Sequence, residues 1–210
     1  MTIVPGGEDA LIVVDLQYDF LPGGSLAVAG GDEIIEPINA LAARFRNVIQ
    51  TQDWHPAGHI SFASSHVGAK PFDVIELPYG PQVLWPDHCV IGTKGAQFSA
   101  LLDIPHMQAV IRKGYRETID SYSGFKENDH ATRTGLAGYL NERGKKRLYI
   151  CGLAEDFCVA WTAEDGIASG FECVVITDAT RPIDTNGSLD AAWKRMDAAG
   201  VGRAKIADFL

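Results

Sequence analysis

Short apolar runs alternate along the chain with longer segments in which apolar residues recur at helical spacing. Six of these runs are rich in β-branched residues and predict strands. They cover residues 10–15, 47–53, 108–113, 147–152, 172–178 and 203–207. Because most of the runs are almost continuously apolar, they are typical of strands that are covered on both faces of a parallel sheet.

Four of the longer segments predict helices. They cover residues 32–45, 132–144, 155–170 and 188–200. The last three end in Gly144, Gly170 and Gly200, and glycine commonly follows the last turn of a helix. The alternation of strands and helices predicts an α/β fold with an open, mostly parallel sheet of six strands and helices on both faces. In such sheets ligands bind beyond the carboxyl ends of the strands.

The segment of residues 54–107 interrupts this alternation. It is rich in Pro, Gly, His and Ser, and inserts of this length in a compact domain usually carry function. The sequence shows no internal repeat, low-complexity tract or linker. We therefore expect residues 1–210 to form a single domain with one long functional insertion.

Charge and composition narrow the classes of partner. The chain of 210 residues carries 18 Lys and Arg against 27 Asp and Glu, which gives a net charge of −9. This charge argues against a nucleic-acid or anionic-membrane partner and favours a small neutral or weakly charged substrate. The sequence MTIVPGGEDA has no signal-peptide pattern, and the apolar runs are too short to span a bilayer. Together with four cysteines that form no CxxC pair, these features predict a cytoplasmic protein with reduced thiols.

Three reactive side chains lie at or just after the ends of predicted strands: Asp15, Lys113 and Cys158. A nearby ammonium group and a helix start both favour the thiolate form of a cysteine. Asp15 is suited to take the thiol proton and return it to a leaving amine, and the backbone N–H groups of residues 153–158 are suited to receive an oxyanion. The set is typical of acyl transfer from a carbon–nitrogen bond. Taken singly, each residue has a simpler explanation: a buried cysteine, a capping aspartate or a solvated lysine.

A second set of candidate residues lies around the insertion. Asp53 and His55 are two residues apart, so in an extended segment both side chains project to the same face. His59 follows four residues later, and His88 lies further along the insertion. One carboxylate with two or three imidazoles predicts a site for one divalent transition metal ion, for which zinc, iron and manganese stay open. The spacing also leaves open whether His59 is a fourth ligand or hydrogen-bonds in the second layer around the metal.

Aromatic residues are interleaved with these groups. Phe20, Trp85 and Tyr122 each lie close in sequence to a candidate chemical group and would provide stacking partners for a flat ring. Core packing is the alternative explanation for each of them. We interpret the remaining cysteines as buried structural residues and the remaining histidines as surface residues; these are Cys89, Cys151, Cys173, His66, His106 and His130.

Five segments resemble, in order, the motif blocks of bacterial and yeast nicotinamidases, which belong to the isochorismatase-like cysteine hydrolases and are also called pyrazinamidases. The segments are VVDLQYDFLPGGSLAV, TQDWHPAGHISFAS, LWPDHCV, RKGYRETIDSYSGF and GLAEDFCVAWTAEDG. The resemblance extends from about residue 10 to residue 180. A single block is moderately specific for this family, whereas five blocks in the same order are very specific for it.

The resemblance implies a Rossmann-like parallel sheet. It also implies hydrolysis of nicotinamide to nicotinate and ammonia, or of pyrazinamide to pyrazinoate, through a thioester intermediate in NAD salvage. Matched by motif, Cys158 is the nucleophile, Asp15 the proton-shuttling base and Lys113 the cation that orients and activates. The implied metal ligands are Asp53, His55 and His88. His59 matches a residue that ligates the metal in only some members.

The same matching implies the surroundings of the substrate. The residues that correspond to the substrate pocket are Phe20, Trp85, Tyr122 and Leu153. The N–H groups of Ala154 and Cys158 correspond to an oxyanion hole, with a cis peptide bond before Ala154. Phe157 departs from the pattern, because relatives often carry His or Tyr there, and this puts a polar contact beside the nucleophile in doubt.

Two kinds of alternative stay open. N-carbamoyl amine and ureidoacrylate amidohydrolases resemble the chain in Asp15, Lys113 and Cys158 but lack the metal-binding motifs, and isochorismatases lack the nucleophilic cysteine. The DWH and WPDHC motifs favour a nicotinamidase over these enzymes. The other alternative is a non-catalytic binding module, and the presence of all three reactive residues argues against it. The sequence leaves open whether copies of the chain form a homo-oligomer.

Overall fold

A parallel sheet runs through the centre of the molecule in the computed structural model, which describes residues 2–209. The strands of the described chain are β1 (Asp9–Val14), β2 (Val48–Asp53), β3 (Val74–Leu77), β4 (Gly80–Val83), β5 (Ala109–Lys113), β6 (Arg147–Leu153), β7 (Glu172–Arg181) and β8 (Gly202–Ala204). Six of them form the parallel sheet in the order β5-β2-β1-β6-β7-β8, and β3 pairs with β4 in an antiparallel hairpin. The predicted α/β fold with six parallel strands is confirmed.

Helices cover both faces of this sheet. They are α1 (Ile35–Ala42), α2 (Leu136–Glu142), α3 (Ala160–Ala168) and α4 (Ser188–Ala199). Leu11 and Val13 of β1 belong to the apolar cluster that contains the buried residues of α1. Ile12 and Val14 of β1 belong to a second cluster, which contains the buried residues of α2, α3 and α4. Because side chains alternate between the two faces of a strand, β1 contributes to both layers of the core.

Two helices are shorter than their predicted segments. α1 begins at Ile35, and Pro37 lies in its first turn, where its missing N–H group is not needed. α2 begins only at Leu136, because Gly135 before it has a φ angle of +102°, which a right-handed helix does not allow. The residues ahead of each helix therefore belong to loops.

The segment predicted as one helix over residues 155–170 has two parts. It begins with a π-helical turn at Glu155–Val159, and α3 follows directly. Within the turn the Val159 N–H group donates to the Ala154 carbonyl oxygen, five residues back, at 3.0 Å. This wider turn connects β6 to α3, and Cys158 lies within it.

The insertion of residues 54–107 consists of the β3–β4 hairpin and loops that pack near the carboxyl ends of the strands. Single backbone bridges connect its parts, with His55 paired to Val90 and Phe62 paired to Trp85. These bridges bring the histidine and tryptophan motifs of the insertion together. No helix in residues 2–209 has the length and apolar character needed to cross a bilayer.

A side chain at Gly152 in β6 would disturb the sheet. The φ angle of Gly152 is +110°, and a Cβ atom would lie 2.1 Å from the carbonyl oxygen of Val14, its neighbour in β1. We expect Gly152→Ala to lower the free energy of unfolding by more than about 2 kcal/mol, because backbone strain and steric overlap both oppose it. Denaturant titration measures this change.

Gly138→Ala provides the matched control. Gly138 lies in α2, and a Cβ atom there meets nothing within 4 Å. Alanine favours a helix over glycine, so this variant is expected to gain about 0.5–1 kcal/mol. If Gly152→Ala were as stable as the unmodified protein, the close contact between β1 and β6 would be wrong.

Candidate active site

The carboxyl ends of neighbouring strands bring reactive residues to one edge of the sheet. Asp15 follows β1, Asp53 ends β2 and Lys113 ends β5. These three strands are adjacent, and Asp53 pairs in register with Lys113. On the other side of β1, β6 leads into the π-helical turn that contains Cys158. Residues that are far apart in sequence meet here because parallel strands end at the same edge.

Lys113 occupies the centre of this group, and its side chain is fully buried. Its Nζ atom forms an ion pair with Asp53 Oδ1, and it donates to the Ser121 carbonyl oxygen at 3.0 Å and to Cys158 Sγ at 3.3 Å. Asp15 Oδ2 lies 2.9 Å from the same nitrogen. Burial alone would lower the pKa of Lys113, but the two carboxylates outweigh it and raise the pKa well above its usual value. The group is therefore an ammonium ion.

Asp15 is buried between this ammonium ion and Thr51. The Thr51 hydroxyl group donates to Asp15 Oδ1 at 2.6 Å, whereas Oδ2 accepts no well-aligned hydrogen bond. Burial raises the pKa of Asp15 above its usual value, and Lys113 and Thr51 offset only part of that effect. The Cys158 sulfur and one oxygen each of Asp15 and Asp53 lie within 4.8 Å of one another. The Asp15 carboxylate therefore lies close to the thiol.

Cys158 is a thiol at rest. Its residue is only 6% exposed, and burial raises the pKa of the thiol well above its usual value although Lys113 opposes this. Lys113 favours the thiolate, as the sequence predicted, but burial outweighs its effect. A base must therefore remove the proton before the sulfur can attack.

Asp53, His55 and His88 form a buried cluster with ligand atoms close together. The Nε2 atoms of His55 and His88 lie 3.6 and 3.7 Å from Asp53 Oδ2. Ligands bonded to one tetrahedral zinc ion at the usual 2.0–2.1 Å would be about 3.4 Å apart, so the cluster has nearly the required size. Burial opposes ionisation of Asp53, but Lys113 and His55 outweigh it and hold its pKa well below the usual range.

The hydrogen bonds of the two imidazoles also fit a metal ion. His55 Nδ1 lies 2.8 Å from the Gly114 carbonyl oxygen, and His88 Nδ1 lies 2.8 Å from the Pro86 carbonyl oxygen. Because a carbonyl oxygen only accepts, each Nδ1 carries a proton, so in the neutral form of each ring the lone pair is on Nε2, which faces Asp53. Three acceptor groups therefore face one another, which is the donor set that a divalent cation needs.

His59 is adjacent to this cluster, with its ring centroid 4.4 Å from that of His55. Its Nε2 atom lies 2.9 Å from the Arg116 carbonyl oxygen and therefore carries the proton. Its Nδ1 atom lies 2.7 Å from the Ser61 hydroxyl group, which donates to it. Both ring nitrogens are thus used within the protein, and this geometry favours a supporting contact to His55 over direct ligation.

A cleft with about 330 Å³ of empty space, part of it open to solvent, connects Cys158 with Asp53 and His88. Its lining also includes Phe20, Trp85, Tyr122, Ala154, Leu26, Asp120, Phe157 and Ile183. The three aromatic residues selected from the sequence thus lie together at one cavity. The Trp85 indole N–H donates to the Tyr122 hydroxyl oxygen at 3.2 Å, which fixes two of these walls relative to each other.

The substrate contact of Leu153 stays a prediction. Its side chain is fully buried in the apolar core on the α1 side of the sheet, next to Ala154, which lines the cleft. The Leu153 side chain lies against Gly31: a Cβ atom added to Gly31 would be only 3.0 Å from Leu153 Cδ1. The peptide bond between Leu153 and Ala154 is cis, as the resemblance implies, and Ala154 lines the cleft.

Sequence reasoning missed four lining residues: Leu26, Asp120, Phe157 and Ile183. Leu26 and Asp120 lie within motif blocks, and Phe157 directly precedes the cysteine, so the positions of these three residues in the sequence pointed to the site. Ile183 lies in a loop outside the motif blocks, where no periodic pattern identifies the inward residue. Phe157 packs edge-on against Trp85, so an aromatic contact is present at the position where the resemblance led us to expect a polar one.

Asp156 is a further buried residue that the sequence did not single out. Its carboxylate accepts from the N–H groups of Ile183 and Asp184 at 3.0 and 2.9 Å and from the Ser188 hydroxyl group at 2.5 Å. These bonds attach the loop before α4 to the π-helical turn. Asp156 therefore helps to hold Ile183 at the wall of the cleft.

Comparisons with known proteins agree with this geometry. A profile of the Isochorismatase domain matches residues 9–207. The nicotinamidase of Acinetobacter baylyi is 58% identical over 201 residues, which cover 96% of this chain and 94% of that protein. The solved structure of the nicotinamidase/pyrazinamidase of Acinetobacter baumanii has a TM-score of 0.97 at 56% identity and covers 98% of this chain and 99% of its own. The pyrazinamidase of Pyrococcus horikoshii, solved in complex with zinc, has a TM-score of 0.77 at 37% identity, covering 94% of this chain and 99% of its own.

Replacing Lys113 tests the role of the buried ammonium ion. Lys113→Met leaves Asp15 and Asp53 buried without their cation. We expect the free energy of unfolding of metal-free protein to fall by about 3–5 kcal/mol at neutral pH, because unpaired buried charges are strongly destabilising. Denaturant titration after chelation measures the loss.

The double variant Asp15→Asn/Lys113→Met is the companion measurement. It removes one of the two unpaired charges, so it should recover part of the stability that the single variant loses. A single variant as stable as the unmodified protein, or a double variant no more stable than the single one, would contradict the electrostatic explanation.

Proposed function

The chain belongs to the isochorismatase family and, within it, to the nicotinamidases, and from this premise we propose that it hydrolyses nicotinamide to nicotinate and ammonia. One observation carries the proposal. The Cys158 sulfur lies 3.3 Å from the Lys113 ammonium and within 4.8 Å of an Asp15 oxygen, in a cleft that also contains aromatic walls and Asp53 and His88. A nucleophile, a base and a flat aromatic pocket are the requirements for attack on an aromatic amide.

The first half of the reaction transfers the acyl group to the enzyme. Asp15 takes the proton of the Cys158 thiol as the sulfur attacks the carboxamide carbon. The N–H groups of Ala154 and Cys158 stabilise the oxyanion that forms, and Lys113 holds the carboxylate and the sulfur in place. Asp15 then gives its proton to the leaving nitrogen, so ammonia departs and a thioester to Cys158 remains.

The second half of the reaction hydrolyses this thioester. Asp15, which is again a carboxylate, takes a proton from a water molecule that attacks the thioester carbon. The carbon–sulfur bond breaks, the sulfur regains its proton and nicotinate is released. Each cycle consumes one amide and one water and produces one carboxylate and, once the proton of the carboxylic acid is transferred to ammonia, one ammonium ion, with the cysteine restored.

We propose that Asp53, His55 and His88 hold one divalent transition metal ion, with the His59 ring packed against that of His55 beside the site. The buried carboxylate and the two Nε2 lone pairs support this proposal, as does the zinc complex of the Pyrococcus horikoshii pyrazinamidase. When bound, such an ion supplies a Lewis-acid position for the ring nitrogen of the substrate. Zinc, iron and manganese all suit this donor set.

Pyrazinamide is included in the proposed substrate range. Its ring is flat, and one of its ring nitrogens has the same position relative to the carboxamide as the nitrogen of nicotinamide. Phe20, Trp85 and Tyr122 would stack on either ring. In the cell the reaction fits the salvage of nicotinamide for NAD. The four unpaired, buried cysteines support the proposed location in a reducing compartment such as the cytoplasm.

Replacing the nucleophile tests the reaction. We expect the unmodified protein to release ammonia from nicotinamide and pyrazinamide but not from an N-carbamoyl amine. Cys158→Ala should reduce this release by at least about 10³-fold, because no other side chain replaces the sulfur. A coupled ammonia assay measures the rates.

Cys151→Ala is the control for this variant, because Cys151 is equally buried but lies inside β6 rather than at the cleft. It should keep most of the activity. The proposed function is wrong if the unmodified protein, loaded with any of the three metals, releases no ammonia from nicotinamide.

Removal of one imidazole tests the metal site independently of turnover. His88→Ala removes one of three ligands, so the purified variant should contain less metal and bind it at least about tenfold more weakly. Elemental analysis and a competition titration with a coloured chelator measure both quantities.

His106→Ala is the control, because His106 hydrogen-bonds to the Ala42 and Phe45 carbonyl oxygens and is not part of the cluster. Its metal content should equal that of the unmodified protein. Metal content and affinity that are unchanged in His88→Ala would remove His88 from the proposed ligand set.

A further inference from the structure

The catalytic cleft and a groove on the outer surface share two residues, Tyr122 and Phe157. The groove extends from these rings across the β3–β4 hairpin to α3 and α4. Its apolar lining includes Val74, Pro81, Val83 and Trp161. The two shared rings therefore form a partition between the catalytic cleft and an apolar groove on the surface.

The two halves of this partition are held differently. Tyr122 is fixed by polar contacts, because its hydroxyl oxygen receives hydrogen bonds from Gln82 Nε2 at 3.1 Å and Trp85 Nε1 at 3.2 Å. Phe157 has no polar atom in its side chain and is held only by packing. Its ring meets Trp85 at a centroid distance of 4.9 Å and an angle of 88°, and Tyr122 at 5.5 Å and 68°. Phe157 is thus the part of the partition that can be removed without breaking a hydrogen bond.

The π-helical turn explains why Phe157 reaches the cleft at all. Consecutive residues of an α-helix project in clearly different directions. In this wider turn Phe157 and Cys158 both line the cleft. The ring that closes the pocket is therefore attached directly to the residue that carries the nucleophile.

We propose that Phe157 sets the size limit of the substrate: it admits amides of a single aromatic ring and excludes amides in which a second ring is fused to the first. The inference rests on the proposed function, because it concerns the specificity of that reaction. The ring of Phe157 occupies the space through which a second ring would extend from the cleft. Without it the cleft opens into the groove, where Val74, Val83 and Trp161 offer apolar contact to that second ring.

The test compares kcat/KM for nicotinamide with kcat/KM for two fused-ring amides, quinoline-3-carboxamide and isoquinoline-4-carboxamide. Both keep the ring nitrogen and carboxamide of nicotinamide in the same relative positions, and the second ring is fused to two different, adjacent edges of the pyridine ring. In Phe157→Ala, kcat/KM for at least one fused-ring amide should rise at least about tenfold relative to kcat/KM for nicotinamide. A rise of this size is expected because the substitution removes a steric block as large as several methylene groups. Phe157→Leu should give a smaller rise.

Val74→Ala is the matched control, because Val74 lines the groove but not the cleft. Val74→Ala shortens one side chain of the groove without opening the partition. The ratio of kcat/KM for each fused-ring amide to kcat/KM for nicotinamide should therefore equal that of the unmodified protein. A residue with a merely structural role would lower kcat/KM for all three amides by a similar factor. That outcome in both Phe157→Ala and Phe157→Leu overturns the proposal.

The remaining outcomes distinguish a failure of the proposed size limit from a failure of the proposed function. If the unmodified protein hydrolyses nicotinamide and neither fused-ring amide gains in the Phe157 variants, the size limit is wrong and the proposed function stands. If the unmodified protein already hydrolyses a fused-ring amide as well as nicotinamide, the size limit is also wrong. If it hydrolyses no amide at all, the proposed function fails, and the size limit fails with it.

Discussion

The burial of one ammonium ion determines the arrangement of the candidate active site. Removing the Lys113 charge from water costs several kcal/mol, and only close anions can offset such a cost. The anions come from the ends of two adjacent strands, Asp15 after β1 and Asp53 at the end of β2. The three N–H groups of the ammonium point to Asp53, to the Ser121 carbonyl oxygen and to the Cys158 sulfur, and Asp15 completes the charge balance as an ion pair. The requirement to satisfy one buried charge thus brings four separate segments of the chain to a common point.

Asp53 connects the two halves of this site. Its Oδ1 atom pairs with Lys113, while its Oδ2 atom faces the imidazoles of His55 and His88. Two buried carboxylates against one ammonium leave a surplus negative charge when both are ionised. The two groups respond in opposite directions, since the pKa of Asp53 is held well below its usual range and that of Asp15 is raised. This difference fits the proposed roles, in which Asp53 stays charged as a metal ligand and Asp15 accepts and returns a proton.

Much of this arrangement was predictable from the sequence, because it depends on regular patterns. Apolar runs predicted the strands, and residues at the ends of parallel strands meet whatever their separation in sequence. Asp15, Lys113 and Cys158 are grouped in this way. The protonation state of Cys158 was not predictable, because it depends on the balance between burial and the ammonium ion in three dimensions. The inward direction of Ile183 was equally hidden, since loops have no periodicity that identifies the buried side.

The π-helical turn is the feature for which local sequence rules were least adequate. An apolar pattern over residues 155–170 predicts an α-helix, and it contains no signal for one additional residue in the first turn. Yet three consecutive residues of this turn have different contacts. Asp156 binds the loop before α4, Phe157 lines the cleft, and Cys158 also lines the cleft and contacts Lys113. In a regular α-helix, neighbours in sequence seldom contribute to the same wall. π-helical turns frequently occur at functional sites, and here the wider turn allows the reactive sulfur and the ring beside it to share one cavity.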